Sequence, residues 1–324
     1  MRRTLVLVAT ALLAVLVPAA TSAQAWPTKP IRLVVPFAPG GSSEIIARAL
    51  AAALSPALGQ QVYVDNKPGA AGNVAMEEVK RAPADGYTLI LGHVGVLAVN
   101  PSLFGKALPY DPVKDFSPVS VIATVPNVIA VHPSLPVTTL AELVRMAKAE
   151  PGKLNYGSAG NGSAGHLAME YFKAQAKLDI VHVPYKGTGP MLTDLMGGQT
   201  QLTFNGVPPI IGQIKGGKLR AIAVGSTKRV PSLPDVPTIA ESGYPGFETS
   251  QWYGILVAAG TPAPIVERLH REIVAALAKP ETTRRIVDDG GAAVGNTPAE
   301  FAALITREEK RWGEVVRNAG VKPE

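Results

Sequence analysis

The residues best placed to do chemistry sit in two glycine-rich stretches, Phe37-Ala38-Pro39-Gly40-Gly41-Ser42-Ser43-Glu44 and Ser158-Ala159-Gly160-Asn161-Gly162-Ser163-Ala164-Gly165-His166. Each follows a strand-like apolar run and opens a helical pattern. Glycine lets a ligand approach the backbone closely, and the first N–H groups of a helix lack intrahelical acceptors and point toward an anion. Such a loop can hold a carboxylate without any arginine. The helix-end field contributes about 0.3–1 kcal/mol, up to about 2 when partly buried. Each hydrogen bond to a charged group adds about 1.5–3 kcal/mol, so a few of them reach the roughly −8 kcal/mol of micromolar binding. The same residues also suit ordinary βα turns capped by Ser43 and Ser163. Two such loops, one in each half of the chain, favour anion binding over that plainer reading.

Other chemistries fit these residues poorly. Gly160, Gly162 and Gly165 match GxGxxG, but Asp179 falls before the next strand instead of at its end, so the dinucleotide fingerprint is incomplete. Asn161 stands where the first glycine of GxSxG around Ser163 belongs, and no His/Asp partner set is marked, which leaves a secreted hydrolase as a minor alternative. The five histidines, His93, His132, His166, His182 and His270, are scattered without ligand spacing, and the chain has no cysteine. No metal and no other cofactor is expected. His93, just after a strand, and His166, at a helix start, are the two placed to face a ligand, although each suits a solvated or capping histidine equally well.

The N-terminus sets the expected compartment. Arg2 and Arg3 precede an uncharged apolar run from Leu5 to Val17, and small residues lead to Ala23-Gln24-Ala25. This reads as a signal peptide over residues 1–25, too short for the roughly 20 apolar residues of a membrane span. Without a cysteine there is no lipid anchor, so the mature protein is expected to be soluble, periplasmic and without a membrane anchor. It keeps 324 − 25 = 299 residues, room for two lobes. Without Arg2 and Arg3, 29 Lys+Arg face 25 Asp+Glu, a net charge of +4. The basic residues come as isolated pairs such as Lys80-Arg81 and Arg284-Arg285, which gives nucleic-acid binding little support. A mild positive field still favours anions.

Behind the loops lies an alternation of short β-rich runs and amphipathic helices, the pattern of an α/β protein with largely parallel sheets. Ile31–Val35, Val62–Val64 and Tyr87–Leu91 read as strands around a helix over Glu44–Leu58. The long β-branched run Ser120–Val131, broken only by Pro126, reads as the passage into a second lobe. There Thr139 and Glu142 make a capping box, and strands at Leu154–Gly157, Ile180–Val183, Leu202–Phe204 and Leu219–Val224 alternate with helices. Trp252–Ala258 reads as a strand returning to the first lobe. The expected organisation is lobe one at about 26–124 plus 248–324, lobe two at about 125–247, and a hinge of two crossing segments.

Several of these stretches carry a family likeness. Lys29-Pro30-Ile31-Arg32-Leu33-Val34-Val35-Pro36-Phe37-Ala38-Pro39-Gly40-Gly41, Asp85-Gly86-Tyr87-Thr88-Leu89 and Tyr110-Asp111-Pro112-Val113-Lys114-Asp115-Phe116 resemble the Bug family of tripartite tricarboxylate transporter receptors. So do Leu154-Asn155-Tyr156-Gly157-Ser158-Ala159-Gly160-Asn161-Gly162, Val183-Pro184-Tyr185-Lys186-Gly187 and Leu233-Pro234-Asp235-Val236-Pro237-Thr238. The resemblance implies a two-lobed periplasmic-binding-protein fold of type II that closes on a carboxylate, with membrane permease components of a tripartite transporter as partner. A ligand sensor that presents its closed form to a receptor kinase would use the same hinge and stays open as an alternative. The receptor is expected to be a monomer and not an enzyme. Glu44 stands where the family often has aspartate, and Asn205-Gly206 replaces the commoner aspartate-asparagine pair. An uncharged Asn205 offers an ammonium group no counter-charge. The expected ligand therefore lacks an amino group, as a dicarboxylate or an aromatic carboxylate does, with Tyr185 along its apolar part and Trp252 either there or, more simply, in the core.

Overall fold

Ile31–Val35 forms strand β1, and its side chains divide between the two faces of a sheet: Ile31, Leu33 and Val35 enter one core and Val34 the other. The computed structural model describes residues 26–288 and 290–319; the export signal expected over residues 1–25 lies outside them. After β1 come α1 (Ser42–Leu58), β2 (Val62–Asn66), α2 (Asn73–Lys80), β3 (Thr88–His93), α3 (Asn100–Phe104) and β4 (Phe116–Val125). Ile46, Leu50 and Leu54 of α1 pack on one face of the sheet, and Met76 and Val79 of α2 on the other.

Pro126 then breaks the long β run, and the chain enters a second sheet. This lobe holds β5 (Asn127–Val131), α4 (Leu140–Ala149), β6 (Asn155–Ser158), α5 (Ala164–Ala176), β7 (Val181–Pro184), α6 (Thr188–Met196), β8 (Leu202–Gly206), α7 (Ile211–Lys215) and β9 (Arg220–Val224). The Thr139 capping box is present, with Thr139 Oγ1 accepting from Glu142 N at 3.2 Å. Again the alternation of one strand feeds two cores: Ile129 and Val131 of β5 meet α4 and α5, while Val128 and Ala130 meet α6 and α7. The chain returns to the first sheet as β10 (Gln251–Ala258) and ends with α8 (Ala263–Leu277), α9 (Pro280–Asp288), β11 (Ala292–Ala293) and α10 (Pro298–Ala319). Each lobe is a sheet covered by helices on both faces.

The sheets are mixed rather than uniformly parallel. In the first, ordered β11-β4-β10-β3-β1-β2, β1 runs parallel to β2 and β3, but β10 lies antiparallel between β3 and β4, and β11 is antiparallel to β4. In the second, ordered β7-β6-β8-β5-β9, β6 is parallel to β7 and β8, and β5 lies antiparallel between β8 and β9. Direction of entry explains the two insertions. β5 and β10 each begin at a crossing between the lobes and must run away from the cleft, whereas β1 and β6 run toward it and deliver their loops there.

The crossings are tied to each other. Gln251 Nε2 donates to Asn127 Oδ1 at 2.5 Å, Asn127 Nδ2 donates to the Thr249 carbonyl, and Gly225 N donates to Asn127 O at 2.7 Å. Among the described residues no helix is long and apolar enough to cross a membrane.

Candidate functional site

Between the lobes lies a cavity of about 620 Å³, within the roughly 300–1,000 Å³ of small-molecule pockets. The lobes meet closely around it. A methyl group placed on Gly41 would lie 3.3 Å from Thr188 Oγ1, and one on Gly162 would lie 3.3 Å from Leu103 Cδ2 and 3.5 Å from Ala71 Cβ. From the first lobe Phe37, Ala38, Gly41, Ser42, Ser43 and His93 line the cavity. From the second come Asn161, Ser163, Ala164, Tyr185 and Asn205.

The remaining candidates face elsewhere, because their polar atoms close the loops on themselves. Pro39 and Gly40 are exposed. Glu44 Oε2 accepts the Gly40 N–H at 2.7 Å, and its other oxygen takes Arg48 Nε at 2.8 Å and Nη2 at 2.6 Å, so its charge is already matched. The Gly162 N–H donates to His166 Nδ1 at 3.1 Å. Ser158 Oγ is 2.7 Å from His182 Nε2 and accepts from Gly160 N at 3.1 Å. Trp252 is a core residue, 4% exposed and edge-on to Phe301 at 5.8 Å.

Helix capping also differs from expectation at one loop. Ser163 is the N-cap of α5, its hydroxyl accepting from His166 N at 3.4 Å. Ser43, by contrast, caps nothing: the N-cap of α1 is Gly41, and Ser42 and Ser43 lie within the first turn. Their N–H groups have no intrahelical acceptor, and both residues line the cavity. The helix begins earlier than the sequence suggests because Glu44 already satisfies the loop before it.

Asn205, 8% exposed at the end of β8, is the clearest unfilled demand in the wall. Its Oδ1 accepts the Gly206 N–H at 2.9 Å, which leaves Nδ2 buried and without a partner. A buried donor left unpaired costs about 1–3 kcal/mol, which a ligand acceptor would recover. Gly165, at the N-terminus of α5, lets that helix lie against β8: a Cβ there would sit 2.3 Å from the Phe204 carbonyl oxygen.

The electrostatics favour an anion. Among the described residues the lining contains no Asp or Glu; its one cation, Lys186, is exposed and makes no ion pair. His93 is fully buried, with Nδ1 accepting from Gly95 N at 2.9 Å; burial lowers its pKa to about 4, against a smaller opposing hydrogen bond with Gln251. Burial chiefly, with Lys173 nearby, lowers His166 to about 4. His182 falls to about 3 through burial and then its neighbour His166, on which it stacks at 4.2 Å. These rings are neutral near pH 7. Burial and then the hydrogen bond to Asp194, at 2.8 Å, push Tyr185 up to about 12.

Several lining residues escaped the sequence reading. Pro68–Gly72, Leu103, Phe104, Gln251, Tyr253 and the Lys186-Gly187-Thr188 turn are among them. Leu103 and Phe104 look like core residues in sequence. Pro68-Gly69 is a turn dipeptide, which in sequence marks the end of a strand and not a cavity wall. Lys186-Gly187 adjoins Tyr185 in a quoted motif, and the start of α6 behind it could have been recognised as a third helix N-terminus.

Comparison with known proteins places this geometry in context. The family described as "Tripartite tricarboxylate transporter family receptor" matches residues 46–321. The chain is similar to Protein BugT of Bordetella pertussis, 38% identical over 307 residues and covering 94% of each chain. It is similar in structure to R. palustris Rpa4515 with adipate, at a TM-score of 0.89 and 41% identity over 92% of this chain and 100% of that one. It is also similar to MatC from Rhodopseudomonas palustris with bound malate, at a TM-score of 0.84 and 34% identity over 90% of this chain and 99% of that one.

Proposed function

The chain belongs to the tripartite tricarboxylate transporter receptor family, and on that premise we propose that it acts in the periplasm, where it captures a small carboxylate and delivers it to the membrane permease of a tripartite transporter. The observation that carries this reading is the convergence of unsatisfied donors on an acid-free cavity. The first turns of α1, α5 and α6 and the Asn205 amide supply them from both lobes. Ser42 and Ser43 grip the carboxylate from the first lobe, and Asn205, Ala164 and the start of α6 from the second. Adipate and malate, named with two relatives, are acids of this kind. Because neither lobe completes the site alone, ligand favours the closed state by its differential affinity for it. The ligand is bound and released unchanged, as befits a receptor.

Calorimetry with adipate and malate, on the wild type and Gly41→Val, tests the reading. The wild type should bind at least one of them, and small-angle scattering should show a smaller radius of gyration when it does. Gly41→Val, which fills the space between Gly41 and Thr188, should bind at least tenfold more weakly, a loss of about 1.4 kcal/mol or more. Wild-type affinity in the variant, or an unchanged radius at saturation, would remove the two-lobed grip.

A further inference from the structure

The geometry points to a narrower ligand class: a carboxylate joined to an apolar body about the size of a phenyl ring or a hexyl chain, with at most one further carboxylate at its far end, and with amino acids and tricarboxylates excluded. This rests on the carboxylate-receptor reading and adds the chemistry of the rest of the ligand.

The cavity has two unlike poles. At one, Ser42, Ser43, Thr188 and Asn205 stand close together: a Cβ on Gly206, beside Asn205, would lie 2.5 Å from Ser42 Oγ, and one on Gly41 would lie 3.3 Å from Thr188 Oγ1. Asn205 Nδ2, buried and unpartnered, requires an acceptor there. At the other pole the wall is Ala70, Ala71, Leu103 and Phe104, faced from the second lobe by the Asn161-Gly162 turn. Leu103 is 7% exposed, and Phe104 packs on the same core. These side chains offer no polar partner apart from the uncharged Asn161 amide, which suffices for one chain-end carboxylate and not for two more.

Charge and size separate the ligand classes further. An ammonium group buried in this cavity meets no carboxylate: Glu44 is turned back onto Gly40 and Arg48, and Asp194 accepts from Tyr185. Three carboxylates would share one cation, Lys186, which is exposed. The space of about 620 Å³ corresponds to on the order of twenty waters at ~30 Å³ each. A four-carbon acid held at the polar pole leaves the apolar pole to water, whereas an apolar body excludes that water and gains the burial.

Calorimetry with five probes decides the matter: 3-phenylpropanoate, L-phenylalanine, adipate, succinate and citrate. The first pair differs by an ammonium group, and adipate exceeds succinate by two methylenes at equal charge. We expect 3-phenylpropanoate to bind at least tenfold more tightly than phenylalanine, adipate at least tenfold more tightly than succinate, and citrate more weakly than either favoured acid. Phenylalanine matching 3-phenylpropanoate, or succinate or citrate binding tightest, overturns the inference while leaving a carboxylate receptor intact. Silence from all five overturns the receptor reading as well. Phe104→Gln supplies a second measurement: the adipate-to-succinate affinity ratio should shrink at least threefold. An unchanged ratio in a variant that still unfolds cooperatively would show that this wall does not select the ligand.

Discussion

The loops before α1 and α5 share one hydrogen-bond plan and differ in the atoms that execute it. In each, the side chain three residues after the N-cap reaches back to the N–H just before the cap. Glu44 does so to Gly40 at 2.7 Å, and His166 to Gly162 at 3.1 Å. This is a relative of the capping box, built once with a carboxylate and once with an imidazole. The carboxylate brings a charge, which Arg48 matches on the surface. The imidazole brings none, but it must stay neutral to accept, and its burial against His182, itself stacked on Tyr156, enforces that. One loop is thus closed at its exposed rim and offers Ser42 and Ser43 inward. The other is closed in its buried core and held rigidly against β8.

The contrast can be broken most forcefully at the glycines. A Cβ on Gly165 would meet the Phe204 carbonyl oxygen at 2.3 Å, and a backbone atom in a central strand cannot yield cheaply. Overpacking of this kind costs typically 1–3 kcal/mol, and Gly165→Ala should reach about 3. At Gly41 the nearest atom to a new Cβ is the Thr188 hydroxyl at 3.3 Å, and φ is −98°, so Gly41→Ala should change stability by no more than about 0.5 kcal/mol. Urea unfolding of the two variants measures both. Equal losses would mean that the first loop is as tightly built as the second.

A smaller effect comes from pH and sharpens the imidazole side of the comparison. His166 is lowered to about 4 by burial, against 6.5 when unfolded. Between these values the unfolded chain binds a proton that the native one refuses. The contribution is therefore fully present above pH 6.5 and lost as pH falls toward 4, at up to about 1.4 kcal/mol per pH unit for one histidine. His93, also lowered to about 4, acts in the same window and sense. Thermal unfolding midpoints measured from pH 7 to 4 should fall in the wild type, and less steeply in His166→Gln, whose amide oxygen still accepts from Gly162. Parallel curves would show that His166 is not held neutral.

Much of this was legible in the sequence, and the boundary of legibility has a physical cause. The period-2 and helical patterns located the strands and helices because both report burial directly, and Pro126 marked the passage between sheets. The glycine loops located the cleft because helix starts after strands are local features. Whether a given polar side chain faces the ligand was not local. Glu44, Ser158 and His166 look available in sequence, yet each is consumed by a partner: Arg48 one turn on, His182 across a neighbouring strand, Gly162 within the loop. Leu103 and Phe104 reach the cavity wall through the placement of α3 beside Ala71, to whose carbonyl Asn100 Nδ2 donates, and no short window of sequence encodes that pairing. The antiparallel placement of β5 and β10 likewise depends on where the chain crosses, and a single strand's composition carries no direction.

The smallest effects expected are those of the two serines, and they should move in different measurements. Ser163 Oγ accepts from His166 N at 3.4 Å, a long bond, so Ser163→Ala should cost near the lower end of the usual ~0.5–2 kcal/mol for a lost N-cap. Ser43 caps nothing and lies in the first turn of α1 with its residue against the cavity, so Ser43→Ala should leave the unfolding midpoint nearly unchanged. Its hydroxyl can instead donate to a bound carboxylate. Losing a hydrogen bond worth about 0.5–1.5 kcal/mol should weaken ligand binding roughly two- to tenfold. Differential scanning calorimetry and titration of the same two variants read both quantities. A larger midpoint loss in Ser43→Ala than in Ser163→Ala would place the structural serine in the first loop and the ligand-facing one in the second, reversing the roles that the hydrogen bonds assign.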